Sequence, residues 1–375
     1  VPSGAAACAL LPTIAALLAG RAAPALPVPL DDERRTALLT TALRAGETID
    51  DDIAVVVSTS GTTGTPKGAM LPAAALRAGG EATHARLGGP GRWLLALPAY
   101  HIAGLQVLVR SVLAGTEPVA VPASFRPAEL VSAIGAMGSG RRYASLVAAQ
   151  LDKALADTEA AAALASLDAV LIGGGPLPVP VAERAAAAGI PVVRTYGMSE
   201  TAGGCVYDGR PLDGVRVRIA DSGRIVLGGP VVARGYRNPV SPDPFAEPGW
   251  YATDDIGVLD EAGTLRVLGR IDDAISTGGL TVLPQLVENV LATHPAVAEC
   301  AVFGLPDARL GQRVAAAVVP AAGCSAPSLA ELREHVAAVL DPTAAPRQLE
   351  LVDELPRRGI GKIDRRALVA RFTAP

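Results

Sequence analysis

Short apolar runs and longer Ala-rich stretches alternate from Ile53 onward. "IAVVV" gives way to polar "STS", and the runs at residues 93–97, 119–121, 169–172 and 191–194 are separated by helical lengths. Runs of four or five apolar residues without polar alternation suit strands covered on both faces. The spacing therefore predicts an α/β unit with a mainly parallel sheet and flanking helices. Near residue 214 the texture changes to closely spaced strands, "GVRVRIADSGRIVLGG" and "GVLDEAGTLRVLG", with DSG and EAG as hairpin turns, which predicts a small antiparallel sheet or barrel. A third texture follows Arg270: the helix "LPQLVENVLATHP", the strands "VAECAVFGLP" and "RVAAAVVP", and the helix "SLAELREHVAAVL". These make a compact α+β unit of about 105 residues, a usual size for a small domain. The expected division is 1–270 and 271–375, with a helix-rich segment over residues 1–50 at the start of the first part.

Composition narrows the chemistry. The 375 residues carry 33 Lys plus Arg against 37 Asp plus Glu, a net charge of −4, and 3% aromatic residues. That balance gives neither the basic footprint nor the stacking surface of a nucleic-acid binder, so an anionic ligand must be held locally. Cys8, Cys205, Cys300 and Cys324 form no CxxC or Cys/His cluster, which argues against zinc and a disulfide framework and fits a cytoplasmic location. The apolar stretch 5–30 is broken by Arg21 and four prolines, so membrane insertion is not expected.

The stretch "STSGTTGTPKGAML" (58–71) follows the first buried strand pattern. It fails the GxxxxGK[ST] phosphate-loop spacing, because Gly61 is followed five residues later by Pro66, and no GxGxxG opens a helix. What remains is a Ser/Thr/Gly turn whose N–H groups and hydroxyls can wrap a polyphosphate, with Lys67 supplying charge. By composition alone it reads as a solvated loop, the usual setting of Gly/Ser/Thr-rich runs.

The string SGTTGTPKG nevertheless resembles the signature of the acyl-adenylate-forming superfamily, which includes acyl-CoA and aryl-CoA synthetases, luciferases and peptide-synthetase adenylation domains. Four more segments resemble that family's motifs in family order: "TYGMSET" (195–201), "GWYATDDIG" (249–257), "LGRIDDAISTGG" (268–279) and "RRGIGKIDRRAL" (357–368). The resemblance implies that Ser58, Thr59, Ser60, Gly61, Thr62, Thr63, Gly64 and Lys67 close over the phosphates of ATP. It also implies that Gly173, Gly174, Gly175, Thr195, Tyr196, Gly197 and Met198 line the nucleotide side. Tyr196 would stack on adenine, Thr201 would bond the α-phosphate, and Glu200 would hold Mg²⁺, a hard ion suited to oxygen ligands.

Where the family has WxxTGD, this chain has Asp254 in place of the Gly, and Asp255 aligns with the ribose ligand. Arg270 would contact the ribose or phosphate side, Asp272 would be the hinge of a mobile C-terminal domain, and Gly278 and Gly279 would line the pantetheine tunnel for CoA. Lys362 is implied as the adenylation lysine, joining Lys67, Glu200 and Thr201 as the catalytic set. His101 lies where the family lines the acyl pocket, with Gly174 and Gly197 as further walls; on its apolar stretch it also reads as a packed residue.

"HIAGLQVLVRSVLAGT", "YGMSETAGGCVYDG" and "ISTGGLTVLPQLVE" are worded most like the short actinobacterial form of the o-succinylbenzoate–CoA ligases of menaquinone synthesis. The expectation is an ATP-dependent acid–CoA ligase using Mg²⁺, with a small carboxylic acid and CoA as the other substrates; a homodimer is compatible with it. Alternatives are another aryl- or fatty-acid–CoA ligase, an adenylation domain serving a carrier protein, and a nucleotide-binding module without catalysis. Most superfamily members carry about 150 residues, a subdomain's length, ahead of the phosphate loop, and this chain has 57.

Overall fold

The structure, a computed structural model, describes residues 1–59, 65–358 and 362–373. The predicted parallel sheet is present, with seven strands. In spatial order they are Val119–Ala120, Arg92–Leu95, Arg142–Val147, Ala169–Gly173, Val192–Met198, Gly203–Tyr207 and Arg210–Pro211. The first five run parallel, Gly203–Tyr207 pairs antiparallel with Val192–Met198, and Arg210–Pro211 pairs antiparallel with Gly203–Tyr207. Ala169–Gly173 shows why the apolar runs carry no alternation: Ala169 to Ile172 are all buried, because helices cover both faces. One core lies on each side, the first around Trp93, Leu108 and Tyr207, the second around Leu94, Leu130 and Leu146.

The strand Ile53–Val57 does not join this sheet. It pairs antiparallel with Ala69–Pro72, Val57 opposite Ala69, so residues 58–68 form the connection of a two-stranded ribbon. Behind it the helix Glu33–Ala42 begins at Asp32, whose side chain accepts from the Arg35 amide at 2.8 Å. The strand-rich region is a four-stranded antiparallel sheet of Arg216–Ile219, Arg224–Gly228, Trp250–Leu259 and Leu265–Arg270. Along Trp250–Leu259 burial alternates residue by residue, as in a strand with one covered face.

Residues after 275 have their own sheet. The strand Gly311–Pro320 is flanked by Val297–Asp307 and the parallel strand Gln348–Leu351, and the hairpin Ile275–Thr277 with Leu280–Val282 extends the edge. Alternate residues of the central pair face opposite cores: Val302, Val314 and Val318 lie with the helices Pro284–Leu291 and Leu329–Ala337, whereas Phe303, Ala315 and Ala317 lie with Leu368 of the helix Arg365–Thr373.

The helix Ile102–Ala114 approaches the backbone before it closely enough to require Gly104. A Cβ there would lie 2.4 Å from the Pro98 carbonyl oxygen and 2.5 Å from that of Leu97. Gly104→Ala is expected to lower stability by about 1–3 kcal/mol, the usual cost of forcing atoms into a packed site. Urea unfolding at unchanged m-value would measure it.

Candidate active site

The parallel strands end at one edge, and the segments that leave it carry the candidate chemistry, as open α/β sheets generally arrange it. Pro98 and His101 follow Arg92–Leu95, Gly174 and Gly175 follow Ala169–Gly173, and the short turn Ser199–Thr201 follows Val192–Met198. The last strand runs further than "IPVVR" suggests, since it takes in Thr195–Met198 as well.

Lys67 sits where the ribbon re-enters the fold, and four residues distant in sequence hold the ribbon there. The Asn238 amide donates to the Lys67 carbonyl at 3.0 Å, the Arg237 amide to Gly68 at 2.8 Å, the Met70 amide to Gly235 at 3.0 Å and the Arg234 amide to Met70 at 2.9 Å. Asn238 Nδ2 also donates to the carbonyls of Pro66 and Ala42, at 2.8 and 2.7 Å. Arg237, nearly buried, spreads its guanidinium over the carbonyls of Leu43, Arg44, Glu47 and Thr48. Gly68 is required at φ +72°, where a Cβ would stand 2.6 Å from Leu43 Cδ2. Ser58 and Thr59 are half-buried at the other stem of the ribbon; Ser60, Gly61, Thr62, Thr63 and Gly64 lie outside the described residues.

Tyr236, in the middle of that clasp, joins two of the expected catalytic groups. Its hydroxyl donates to Glu200 Oε1 at 2.6 Å, and Lys67 Nζ lies 5.2 Å from its ring centroid, in cation–π range. The Tyr251 hydroxyl is 3.2 Å away; because the single Tyr236 proton is on Glu200, Tyr251 is the donor of that pair. Phe245 packs edge-on against Tyr236. Burial pushes the Glu200 carboxyl above its ordinary range, against the Tyr236 hydrogen bond and the Lys67 charge, which pull it down. Burial, reinforced by the Glu200 charge, pushes the Tyr236 hydroxyl far up, so it stays a donor. "RGYRN" carries no periodicity and reads as a polar turn, so sequence reasoning missed it; the aromatic inside a basic stretch was the available signal.

The turn holding Glu200 is fixed on several sides. Ala233 N donates to the Glu200 carbonyl at 2.9 Å. Thr201 Oγ1 accepts from Met198 N at 3.0 Å and donates to Gly203 O at 2.9 Å. Ala202 takes φ +52°, and its carbonyl accepts from buried Gln106 at 2.7 Å. Gly197 has no room for a side chain, since a Cβ would lie 2.2 Å from Gly203 O, and at Gly173 one would meet Thr195 Oγ1 at 2.5 Å.

A second cluster adjoins through Tyr196, whose hydroxyl donates to Asp255 Oδ2 at 2.6 Å. Asp255 is buried, and its amide donates to Thr253 Oγ1 at 3.0 Å. Arg270 stands between three carboxylates, 3.6 Å from Asp255, 3.5 Å from Asp254, and forked onto Asp272 at 2.8 and 2.9 Å. Burial raises the Asp255 carboxyl, opposed by the Tyr196 hydrogen bond and by Arg270. Burial lowers the Arg270 guanidinium, and the Asp272 hydrogen bonds and the three negative charges more than reverse this.

The other expected residues lie elsewhere. His101 precedes the helix Ile102–Ala114, with its ring 4.6 Å from that of Tyr100. A cavity of about 310 Å³ lies past the end of the strand Arg92–Leu95, lined by Leu95, Leu97, Pro98, Val121, Val147 and Gln150 among others. Its Gln150 amide is committed to Ala96 O and Val147 N. Gly278 and Gly279, at φ +58° and +81°, form the two-residue turn of the hairpin Ile275–Thr277 with Leu280–Val282. The backbone of Lys362 pairs with Arg358 in a short ribbon; its side chain lies outside the described residues.

Residues 13–237 match the family model described as AMP-binding enzyme, and residues 286–362 match the AMP-binding enzyme C-terminal domain. The chain belongs to the AMP-binding enzymes. It is 65% identical over 376 residues to a probable 2-succinylbenzoate–CoA ligase of Mycobacterium tuberculosis, covering 99% of this chain and 97% of that protein. The 2-succinylbenzoate–CoA ligase of Geobacillus kaustophilus is 38% identical over 86% of this chain and 70% of its own length. Among solved structures, o-succinylbenzoate CoA synthetase from Bacillus subtilis, in complex with the acyl-adenylate intermediate, superposes with a TM-score of 0.72 at 30% identity. That match covers 86% of this chain and 69% of the other.

For this AMP-binding enzyme, Glu200 fits a magnesium ion. It is a buried carboxylate that makes no ion pair with any described residue, and burial raises its protonation range. Among the described residues no group of three or more His, Cys, Asp or Glu could hold a metal. A single carboxylate completed by substrate phosphates and water is a usual magnesium arrangement.

Tyr236→Phe keeps the ring beneath Lys67 and removes the partner of Glu200. It is expected to raise the Mg²⁺ concentration for half-maximal pyrophosphate release about tenfold or more, the size of effect seen when a ligand's hydrogen-bond partner is lost. Tyr236→Leu, which also removes the ring, is expected to lower kcat further. Tyr196→Phe leaves Asp255 without its donor, so the Asp255 pKa moves further up. The acid limb of the pH profile of kcat/KM for ATP should therefore shift to higher pH, with activity lost earlier as pH falls.

Proposed function

We infer that this chain is an ATP-dependent acid–CoA ligase that converts 2-succinylbenzoate, ATP and CoA to 2-succinylbenzoyl-CoA, AMP and pyrophosphate, the step that serves menaquinone synthesis. The observation that carries the substrate is the 65% identity over nearly the whole of both chains to the M. tuberculosis relative. The observation that supports the reaction type is the pairing of Lys67 and Glu200 on one tyrosine beside Asp255.

A carboxylate is a poor electrophile because oxide would have to leave. In the first half-reaction a carboxylate oxygen of the acid attacks the α-phosphorus of ATP in line, the bond to the β-phosphate oxygen breaks, and pyrophosphate departs. Positioning and charge neutralisation dominate such a transfer. In this reading Asp255 accepts from the ribose hydroxyls, Tyr196 lies against adenine, and Glu200 holds Mg²⁺, which supplies charge neutralisation at the phosphates. Thr201 meets the α-phosphate, and Lys67 and Lys362 stabilise the developing charge. His101 and the apolar cavity lined by Leu97 and Pro98 stand on the acyl side. In the second half-reaction the CoA sulfur attacks the acyl carbon of the mixed anhydride, the carbon–oxygen bond to phosphate breaks, and AMP leaves. Lys362 and the thiol compete for one face, which a rotation of residues 271–375 about Asp272 relieves, presenting Gly278 and Gly279 to pantetheine.

All four cysteines are free thiols, and no described helix is long and apolar enough to cross a membrane. Both observations support a cytoplasmic location. A homodimer is compatible with this reading and is not required by it, since every assigned residue comes from one chain.

Lys362→Ala is expected to abolish adenylate formation while leaving transfer of the preformed 2-succinylbenzoyl-adenylate to CoA largely intact. Equal loss of both would remove the two-conformation scheme. Pyrophosphate release with a panel of acids tests the substrate: 2-succinylbenzoate should exceed benzoates and fatty acids by orders of magnitude. No stimulation by it would remove that substrate and keep the ligase chemistry.

A further inference from the structure

Lys362 is followed three residues later by Arg365, the first residue of the helix Arg365–Thr373. The Arg365 guanidinium uses all three of its nitrogens. Nη2 meets Glu288 at 2.6 and 2.8 Å, Nε donates to Val302 O at 3.0 Å, and Nη1 meets Asp273 Oδ2 at 3.2 Å. Glu288 is buried, and its Oε1 also accepts from Val302 N at 2.7 Å. Asp364 is held as well, its amide donating to Pro356 O at 2.7 Å and its carboxylate accepting from Ala367 N at 3.1 Å. Asp273 is the residue immediately after the hinge residue Asp272. One side chain therefore bridges the first residue beyond the hinge, the core of the small domain and the segment that bears the lysine.

We propose that Arg365 is a positioning residue for Lys362: through Asp273 and Glu288 it locks the lysine-bearing segment to the hinge, so that one rotation sets both. A planar guanidinium with fixed donor directions suits this task, because it transmits orientation where a lysine would transmit only charge. Without the strut the hinge could reach its adenylation setting while the lysine segment wandered, and a displacement of about 1 Å at a reacting centre is enough for large rate losses. The proposal rests on the reading of Lys362 as the adenylation lysine.

The test measures the two half-reactions separately in the full-length chain: single-turnover adenylate formation, and thioester formation from preformed 2-succinylbenzoyl-adenylate and CoA. Asp273→Asn removes the charge of the tie to the hinge and leaves the Arg365–Glu288 pair in place, so the fold is retained; an unchanged urea midpoint confirms this. It is expected to slow adenylation roughly tenfold with thioester formation within about twofold. Arg365→Lys should give the same split with a larger loss. Equal losses in both half-reactions, or no loss from Asp273→Asn while Lys362→Ala abolishes adenylation, would overturn the strut. Retained adenylation in Lys362→Ala alone would overturn the reading beneath it.

Discussion

The hydrogen bond from the Tyr236 hydroxyl to buried Glu200 is the contact on which the arrangement of the candidate site depends. An isolated carboxylate in a nearly dry position is costly and tends to protonate. Here it gains one charge-directed hydrogen bond and a nearby ammonium held against the same ring. The geometry also joins parts of the chain far apart in sequence. Tyr236 bridges to Ala69 on the phosphate-loop ribbon, Glu200 leaves the end of the central sheet, and Tyr251 belongs to the antiparallel sheet. Three architectural units therefore meet at one phenol, and displacement of any one of them would misalign Lys67 and Glu200.

Charge is divided between two places. Arg270 is surrounded by Asp254, Asp255 and Asp272, so its positive charge is already balanced, and in the proposed reaction it organises the ribose end rather than the triphosphate. In the proposed reaction the phosphates are then left to Lys67, Lys362 and the ion on Glu200. A chain with net charge −4 can bind a polyanion this way because the favourable field is local. Asp254, where the family pattern has glycine, adds a carboxylate whose contact is with Arg270.

Much of this was legible in the sequence because burial writes itself into local spacing. Uninterrupted apolar runs marked the parallel strands, and DSG and EAG marked the hairpins of the antiparallel sheet. The pairing of Ile53–Val57 with Ala69–Pro72 was not legible, since an eleven-residue connection without regular pattern does not announce the strand that follows it. The clasp of Arg234 to Asn238 escaped for a stronger reason: its partners lie from 164 residues away to nearly 200, and backbone carbonyls have no residue signature. Gln106 escaped because one amide in an apolar helix looks like noise until Ala202 is seen to need a donor.

The central claim is that Tyr236 and Glu200 act as a unit in the adenylation step. A double-mutant cycle of Tyr236→Phe and Glu200→Gln, read as single-turnover adenylate formation, tests it most directly. The two substitutions should be non-additive by at least about 1 kcal/mol, as expected for a hydrogen bond to a charged group. Additive losses would show that the bond between them contributes nothing to the reaction and would contradict the account.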